Sequence, residues 1–261
     1  MSRYLVSKII ALIAGLVLLV IAYNHNSNII YNFSGEAYGT TWSISSSEYI
    51  ADNHKEEIKS IINKIDLIAS NYKPESEISQ ININYAEYQF ISNDLFKILE
   101  IAKVVELSTD GYYNIMLGKI SSTLGFAPDF GKNTLQNQAS TFNIDETNKS
   151  LIRYSNNWFD LSSIAKGYAV QEIHNYLISK NLKNHLIDIG GEIIINGNKN
   201  GIPWNIGIQN PLSSVDNATT TISNKNYNFL AIATSGEYRN FKLDEYGNKA
   251  VSYTHLRAHE T

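Results

Sequence analysis

The sequence predicts an α+β domain with a largely antiparallel sheet, preceded by an N-terminal transmembrane helix. Three observations support this fold class. An uncharged apolar run lies near the N-terminus, two amphipathic helices follow in the first half, and short strand-like segments separated by turn residues dominate the second half. Helices followed by runs of short strands are typical of α+β proteins, whereas a doubly wound parallel sheet requires regular alternation of strands and helices.

The apolar run from Leu5 to Tyr23 predicts where the protein resides. Arg3 and Lys8 flank its start, and a positive flank stays in the cytoplasm, so the rest of the chain is expected on the periplasmic side of the inner membrane. The uncharged stretch is about 15 residues long, or about 19 with a snorkelling Lys8, against the roughly 20 that a bilayer requires. A signal peptide cleaved at Val20-Ile21-Ala22 is the alternative. An uncleaved anchor over residues 1–23 is favoured, because no polar region precedes that cleavage site.

Composition excludes several classes of function. The formal net charge of −4 provides no basic stripe for a nucleic-acid partner. The absence of cysteine excludes disulfides, thiolate metal sites, cysteine nucleophiles and lipoprotein modification. Of the histidines, only His255 and His259 have the i, i+4 spacing of metal ligands. The 17 tyrosines can stack on a planar ligand, although ordinary packing is the commoner role.

Periodicity and turn residues predict the elements before the central segment. In chain order they are a polar spacer at 24–32, a strand at 33–45 interrupted at Gly39, an amphipathic helix at 48–71, a loop with one helical turn at 75–84, a second helix capped by Asn93 or Asp94 and ending at Ser108, an extended segment at 112–117, and a hairpin at 148–159 with its turn at 155–157.

The central segment, Asp160–Glu192, organises the rest of the domain. Its helix is expected to be capped by Asp160, Ser162 or Ser163 and to end near Asn181. A buried strand, a tight turn at Gly190-Gly191 and a second strand through Ile195 should follow.

The start of this helix is a candidate anion site. Unpaired backbone N–H groups and the positive end of the helix dipole favour a phosphate there, Lys166 adds a cation one turn in, and Gly167 leaves room. Most helix N-termini bind nothing, so these features alone do not establish a phosphate site.

Seven stretches of the chain, taken together, resemble the FAD:protein FMN transferase family, also called the ApbE family. They occur in the family's order from Gly35 to Phe241: GEAYGTTWSIS, SNYKPESEISQIN, STDGYYNI with LGF, DLSSIAKGYAVQ, IDIGGEI, WNIGIQNP and ATSGEYRNF. The resemblance implies an ApbE-like, T-fold-like mixed α/β domain over residues 33–250. A single such stretch is weak, whereas seven in order make a specific signal.

The resemblance also implies a reaction. FAD would bind with Mg²⁺, and FMN would pass to a Thr or Ser hydroxyl of a target protein, such as a subunit of a membrane redox complex, with AMP leaving. No covalent enzyme nucleophile is needed, so the lack of cysteine is no obstacle. Two alternatives remain: a non-catalytic flavin-binding protein, or an FAD hydrolase that releases FMN and AMP.

Several residues match positions to which the family assigns roles. Ser163 matches a position that gives Mg²⁺ an oxygen, His255 aligns with the family's histidine, and Asn114 stands where the family usually has aspartate. Gly190 and Gly191 would allow close approach of the ligand. The positions matching FAD contacts are Tyr38, Tyr72, Tyr112, Tyr113, Asn114, Asp160 and Lys166. Asp188 is either a site residue or a turn residue, and Arg239 pairs either with phosphate or with a surface carboxylate.

The C-terminal stretch departs from the family pattern. Leu256-Arg257-Ala258 breaks the motif after His255, and the downstream Asp and Thr that hold the metal in the family are absent. The expectation is that residues 251–261 are an artefactual tail and that the transferase-like domain is incomplete at its C-terminus.

Overall fold

The computed structural model describes residues 3–26, 29–131, 141–210, 218–234, 242–243 and 249–250. The helices are α1 Arg3–Asn26, α2 Asp52–Ala69, α3 Glu77–Ile83, α4 Asn93–Ser108, α5 Gly118–Thr123 and α6 Ala165–Ser179. The strands are β1 Tyr31–Ala37, β2 Thr40–Ser46, β3 Tyr88–Phe90, β4 Phe142–Asp145, β5 Ser150–Arg153, β6 His185–Ile189, β7 Glu192–Asn196, β8 Asn205–Gln209, β9 Ala218–Ser223, β10 Phe229–Ala233, β11 Lys242–Leu243 and β12 Lys249–Ala250.

A five-stranded sheet in the order β1-β2-β6-β7-β10 forms the centre of the domain. Every neighbouring pair in it is antiparallel, which confirms the predicted α+β class. The central pairing joins distant parts of the chain, because β2 runs beside β6 and the Ser46 hydroxyl donates to the Asn184 carbonyl, 138 positions later. Three smaller sheets accompany it, with the orders β3-β5-β4, β8-β9 and β11-β12.

The main hydrophobic core lies between this sheet and the helices. It contains Ile44, Ile187 and Ile189 from the strands together with buried side chains of α2, α3, α4 and α6. The stripe predicted for α2 forms its inner face: Ile58, Ile62, Ile65, Ile68 and Ala69 are buried. The opposite face of the sheet carries a second, smaller cluster of Ile193, Ile195 and Trp204.

Helix α1 has the length and composition that the sequence predicted for a membrane-crossing segment. Tyr4–Ile21 has a mean hydropathy of 2.6 over 18 residues, and none of this stretch is buried against the rest of the chain. A secretory signal sequence has the same features.

Three predicted elements are wrong. At 75–84, where a loop with one helical turn was predicted, helix α3 occupies Glu77–Ile83 and buries Ile78, Ile81 and Asn82. Residues 112–117 contain turns and bends instead of a strand. The hairpin turn lies at 146–149 between β4 and β5, because the Asp145 carboxylate accepts hydrogen bonds from the backbone N–H groups of Thr147 and Asn148.

The predicted start of α4 is also corrected. Ser92 is its N-cap, and the Ser92 hydroxyl accepts from the Leu95 backbone N–H. Asp94 points elsewhere: its carboxylate lies 2.5 Å from Lys64 Nζ and accepts from the Tyr168 hydroxyl. Asp94 therefore ties α4 to α2 and α6 rather than capping its own helix.

Two hydrogen-bonded histidines, whose rings meet edge to face, connect α6 to the sheet. His174 Nδ1 lies 2.9 Å from His185 Nε2, and His185 Nδ1 lies 2.9 Å from the Leu182 carbonyl oxygen. A carbonyl only accepts, so His185 Nδ1 carries a proton and its Nε2 accepts from His174. Burial, reinforced by repulsion from His174, lowers the pKa of the fully buried His185 to about 4, and burial also lowers the pKa of His174.

We expect this histidine pair to lower the free energy of unfolding as the pH falls below about 6.5. The unfolded chain binds protons on these histidines below its pKa of about 6.5, whereas folded His185 resists protonation down to about pH 4. The stability that His185 contributes is therefore complete above pH 6.5 and falls by about 3 kcal/mol as the pH drops to 4. His185→Asn retains a donor to Leu182 but does not titrate. The free energy of unfolding, measured by urea titration at several pH values in this range, should change less with pH in the variant than in the wild type. An equal change with pH in the two proteins would contradict the expectation.

Candidate active site

The segment from Asp160 to Ile164 forms a tight turn that enters helix α6. The helix begins at Ala165 with Ile164 as its N-cap and without a side-chain cap, so the expected capping by Asp160, Ser162 or Ser163 is wrong. The Asp160 carboxylate instead accepts from the Ser162 backbone N–H at 2.9 Å. Because this bond closes the turn before the helix starts, the turn presents the exposed Ser163 side chain ahead of the helix.

Tyr113 meets this turn from a separate segment. Its hydroxyl oxygen lies 3.1 Å from Ser163 Oγ, and its ring packs partly buried against the main core. Burial raises the pKa of the Tyr113 phenol, the Ser163 contact opposes that rise, and the negative charge of Asp160 adds to it. Tyr113, Asp160 and Ser163 therefore form one contiguous polar cluster.

Tyr72 approaches the same cluster from the turn after α2. Its hydroxyl donates to the Phe126 carbonyl, while 67% of the residue remains exposed. Burial of the hydroxyl end, and then the charge of Asp160, raise the pKa of this phenol. The backbone on both sides is anchored: Asn71 Nδ2 donates to the Phe159 carbonyl at 2.7 Å, and Lys73 Nζ lies 2.6 Å from Asp66. An exposed aromatic ring on an anchored turn is suited to stacking against a planar ligand.

Lys166 projects from the first turn of α6 towards the glycine turn between β6 and β7. Its Nζ lies 3.5 Å from the Gly190 carbonyl oxygen and 3.8 Å from Glu192 Oε1. Burial raises the pKa of the Glu192 carboxyl, and the Lys166 charge partly opposes that rise. The ammonium group thus lies between α6 and the turn that joins β6 to β7, where it contacts one backbone carbonyl and one half-buried carboxylate.

The Gly190-Gly191 turn requires glycine at both positions. Their φ angles are +56° and +91°, and a Cβ on Gly190 would lie 2.6 Å from Thr40 Cγ2. A Cβ on Gly191 would overlap Thr234, whose backbone N–H and hydroxyl both donate to the Gly191 carbonyl. Asp188 is a turn residue, because its carboxylate accepts from the Gly191 N–H at 2.9 Å.

The remaining predicted contacts make other interactions within the described residues or lie outside them. Tyr38 adopts a left-handed φ of +54° in the β1–β2 turn, and its hydroxyl donates to the Ile62 carbonyl of α2. Tyr112 is 67% exposed. The Asn114 side chain accepts from the Met116 N–H at 2.7 Å and closes its own backbone turn. His255 and Arg239 lie outside the described residues.

Sequence reasoning missed three polar residues near the cluster: Asn71, Asn82 and Glu192. Asn71 and Asn82 bond to the backbone of Phe159, immediately before Asp160, and Glu192 contacts Lys166. All three residues lie within stretches that resemble the family. Their presence in these stretches could have indicated a role at the site.

Two surface cavities lie away from the cluster. One, of about 240 Å³, is lined by residues of β1, β2 and α2, and the other, of about 400 Å³, by the turns at 197–203 and 224–228. Neither takes a lining residue from the cluster. Among the predicted flavin contacts, Tyr72 and Tyr112 are exposed, whereas Asp160 is buried.

The described residues do not by themselves form a complete metal site. No group of three or more His, Asp or Glu side chains among them is placed to hold a metal ion. Asp160 and Ser163 offer oxygen atoms, but Mg²⁺ requires near-octahedral oxygen coordination, usually with one or two carboxylates.

Comparison with known proteins places the chain in a family. The ApbE family profile matches residues 38–261. The FAD:protein FMN transferase of Vibrio cholerae is 29% identical over 241 residues, covering 86% of this chain and 70% of that protein. The enzyme of the same name from Haemophilus influenzae is 30% identical over 232 residues, covering 80% of this chain and 66% of that protein. The chain thus spans about two thirds of the length of these curated relatives.

Solved structures agree with this comparison. The flavin transferase ApbE from Vibrio cholerae superposes with a TM-score of 0.68 at 26% identity, covering 83% of this chain and 74% of that one. The ApbE protein from Thermotoga maritima superposes with a TM-score of 0.72 and covers 86% of this chain and 75% of that one, but at 21% identity it supports the fold alone. On the extent of the profile match and the shared fold, this chain belongs to the ApbE family.

Proposed function

We propose that this chain is an enzyme that transfers FMN from FAD to a Thr or Ser hydroxyl of a target protein, releasing AMP. The observation that carries the proposal is the convergence of Tyr72, Tyr113, Asp160 and Ser163 from three separate segments on one surface region, where Tyr72 and Ser163 are exposed and Asp160 is buried. Within a family whose curated relatives are FAD:protein FMN transferases, such a surface is the candidate flavin site.

The residues of this chain have distinct roles in the proposal. The exposed ring of Tyr72 stacks on the flavin, and Lys166 moves its ammonium from Glu192 to the FAD diphosphate. The acceptor hydroxyl oxygen then forms a bond to the phosphorus on the FMN side. The bond from that phosphorus to the bridging oxygen breaks, and AMP leaves with that oxygen. The hydroxyl proton passes to a general base. His255, outside the described residues, aligns with the family's histidine but lies in the stretch proposed below to be a foreign tail, so the base is not assigned to it.

Mg²⁺ belongs to the proposal as a bound ion that neutralises charge on the diphosphate. Ser163 is its proposed ligand among the described residues, and the remaining ligands would come from elsewhere.

The proposal places the domain outside the cytoplasm on a membrane anchor. Helix α1 has a mean hydropathy of 2.6 over Tyr4–Ile21, with Arg3 and Lys8 at its start. The anchor and spacer proposed at 1–23 and 24–32 precede a transferase domain at 33–250, and residues 251–261 are proposed to be a foreign tail. A membrane protein complex, such as a redox complex, is the natural class of acceptor for an anchored domain.

Incubation of the full chain with FAD, Mg²⁺ and a candidate acceptor tests the function. Flavin fluorescence that stays with the acceptor through a denaturing gel supports transfer. Free FMN without labelled acceptor supports hydrolysis, and intact FAD retained without either product supports binding only. The last outcome is the second candidate function, which the amide of Asn114 favours, since an aspartate is usual at that position.

We expect Tyr72→Ala to weaken FAD binding by about tenfold, because stacking of a base on an aromatic ring contributes about 1–3 kcal/mol. Tyr72→Phe keeps the ring and loses only the hydroxyl that donates to Phe126, so its affinity should stay close to that of the wild type. Titration of FAD fluorescence measures both. Equal affinities for the alanine and phenylalanine variants would contradict stacking.

A further inference from the structure

Two buried asparagines bond to the single peptide segment that precedes Asp160. Asn82, which is 2% exposed, donates from Nδ2 to the Phe159 carbonyl at 2.9 Å and accepts at Oδ1 from the Phe159 N–H at 2.8 Å. Asn71 donates to the same carbonyl at 2.7 Å. Phe159 lies in none of the strands, so side-chain amides supply the bonds that a neighbouring strand would otherwise provide.

The other side of this segment bonds to the chain around Tyr113. The Asp160 N–H donates to the Ile115 carbonyl at 2.7 Å, and the Gly118 N–H donates to the Trp158 carbonyl at 2.9 Å. The segment 158–160 therefore lies between α3 on one side and the turn after Tyr113 on the other. Because Asn71 directly precedes Tyr72, all three predicted flavin-contacting segments meet at this peptide.

We infer that Asn82 is a positioning residue for the flavin site. Its amide fixes the backbone of Phe159, and that backbone sets where Asp160 and the following turn lie relative to Tyr72 and Tyr113. Both hydrogen bonds of Asn82 go to the Phe159 backbone and neither goes to a predicted ligand contact, so Asn82 acts through Phe159. The inference rests on the proposed function, since it names a determinant of FAD binding at that site.

Asparagine suits position 82 because its side-chain amide donates to the Phe159 carbonyl and accepts from the Phe159 N–H at the same time. An aspartate at this position has the same shape, keeps the acceptor for the Phe159 N–H and loses the donor to the Phe159 carbonyl. When ionised, its second oxygen repels that carbonyl at hydrogen-bond distance. When protonated, the carboxylic acid donates again and restores both bonds. An Asn82→Asp variant therefore regains its positioning bond as the pH falls and its carboxylate takes up a proton. A charged group close to this position is the buried Arg153, whose guanidinium donates to the Ile81 and Asn157 carbonyls.

The test measures the dissociation constant of FAD for the full chain in detergent, at pH 8 and pH 5.5, by quenching of flavin fluorescence. The Asn82→Asp variant should bind FAD about tenfold more weakly than the wild type at pH 8, and the ratio should shrink to about threefold or less at pH 5.5. Asn196→Asp is the matched control, because Asn196 is also a buried amide that donates to a backbone carbonyl, that of Lys183. Asn196 lies at the end of β7 away from the glycine turn. The dissociation constants of Asn196→Asp and the wild type should therefore be nearly equal at both pH values.

A ratio near one for Asn82→Asp at pH 8 overturns the inference. A loss of equal size at both pH values, or a loss shared by Asn196→Asp, also overturns it by reducing Asn82 to a general stabiliser. If Asn82→Asp does not fold, Asn71→Ala removes one of the two donors to the Phe159 carbonyl, and unchanged FAD affinity in that variant overturns the inference. Failure of the wild type to bind FAD at all contradicts the proposed function instead.

Discussion

Lys166→Ala should weaken FAD binding by about 10- to 100-fold, because a charge-assisted hydrogen bond contributes about 1.5–3 kcal/mol. The ammonium group already sits at the edge of the candidate site, 3.5 Å from the Gly190 carbonyl and 3.8 Å from the Glu192 carboxylate. A diphosphate offers it a stronger acceptor. Titration of FAD fluorescence at low salt gives the affinity, and FMN transfer to the acceptor should fall with it.

Lys180→Ala is the matched control for this prediction. Lys180 is the C-cap of the same helix, and its Nζ lies 5.4 Å from the centre of the Tyr176 ring, so its removal changes the net charge equally without touching the site. Equal affinities for the two variants would contradict the phosphate role of Lys166. Lys166→Arg keeps the charge and should bind more tightly than Lys166→Ala. Raised salt should narrow the difference between wild type and Lys166→Ala, because screening weakens exposed charge pairs.

Gly191→Ala should destabilise the fold by about 2–5 kcal/mol and abolish FAD binding with it. The left-handed backbone alone costs an alanine about 1–2 kcal/mol, and overpacking against Thr234 adds about 1–3 kcal/mol. Relief of that overlap would shift the glycine turn, whose Gly190 carbonyl orients Lys166. Urea unfolding measures the stability loss, and FAD titration measures the loss of the site.

Gly201→Ala separates backbone strain from steric overlap. Gly201 has a φ of +85°, close to the +91° of Gly191, but a Cβ there meets nothing within 4 Å. It should therefore cost only the strain, about 1–2 kcal/mol, and leave FAD binding unchanged. Equal stability losses for the two variants would contradict the proposed contact with Thr234.

The second half of the fold was predictable because its signals are local. The β6 and β7 strands are short apolar runs on either side of two glycines, and the structure places the turn at those glycines. Helix α2 was equally clear, because five of its apolar positions lie on one stripe. In both cases each element carries its own pattern, and the tertiary structure agrees with it.

The elements that sequence reasoning missed depend on distant partners. Helix α3 spans only seven residues, and two of its four buried side chains are the polar Ser79 and Asn82, so its inner face looks solvent-exposed. Asn82 finds its partner, Phe159, 77 positions later in the chain. Residues 112–117 look extended in sequence but contain turns and bends, and their Ile115 carbonyl accepts from the Asp160 N–H, 45 positions later. No local pattern encodes such pairings.

The candidate site also contains residues that the sequence predicted and residues that only the structure revealed. Tyr72, Tyr113 and Asp160 were identified as flavin contacts through resemblance to the family, and they converge. Lys166 was already indicated by the predicted helix start, and it reaches the glycine turn. The partners that hold them, Asn71, Asn82 and Glu192, are ordinary polar residues in sequence. Their importance appears only when the structure shows that they are buried or half-buried and bonded across the domain.

The pairing of β2 with β6 also dictates when the domain can assemble during synthesis. Ser46 is synthesised 138 positions before its hydrogen-bond partner Asn184. At a synthesis rate of about 5–20 residues per second, the interval between the two residues is roughly 7–30 s. Throughout it, the N-terminal hairpin presents an open strand edge that can pair with other chains. A holdase that keeps the nascent chain apart from its neighbours during this interval should therefore raise the yield of folded protein.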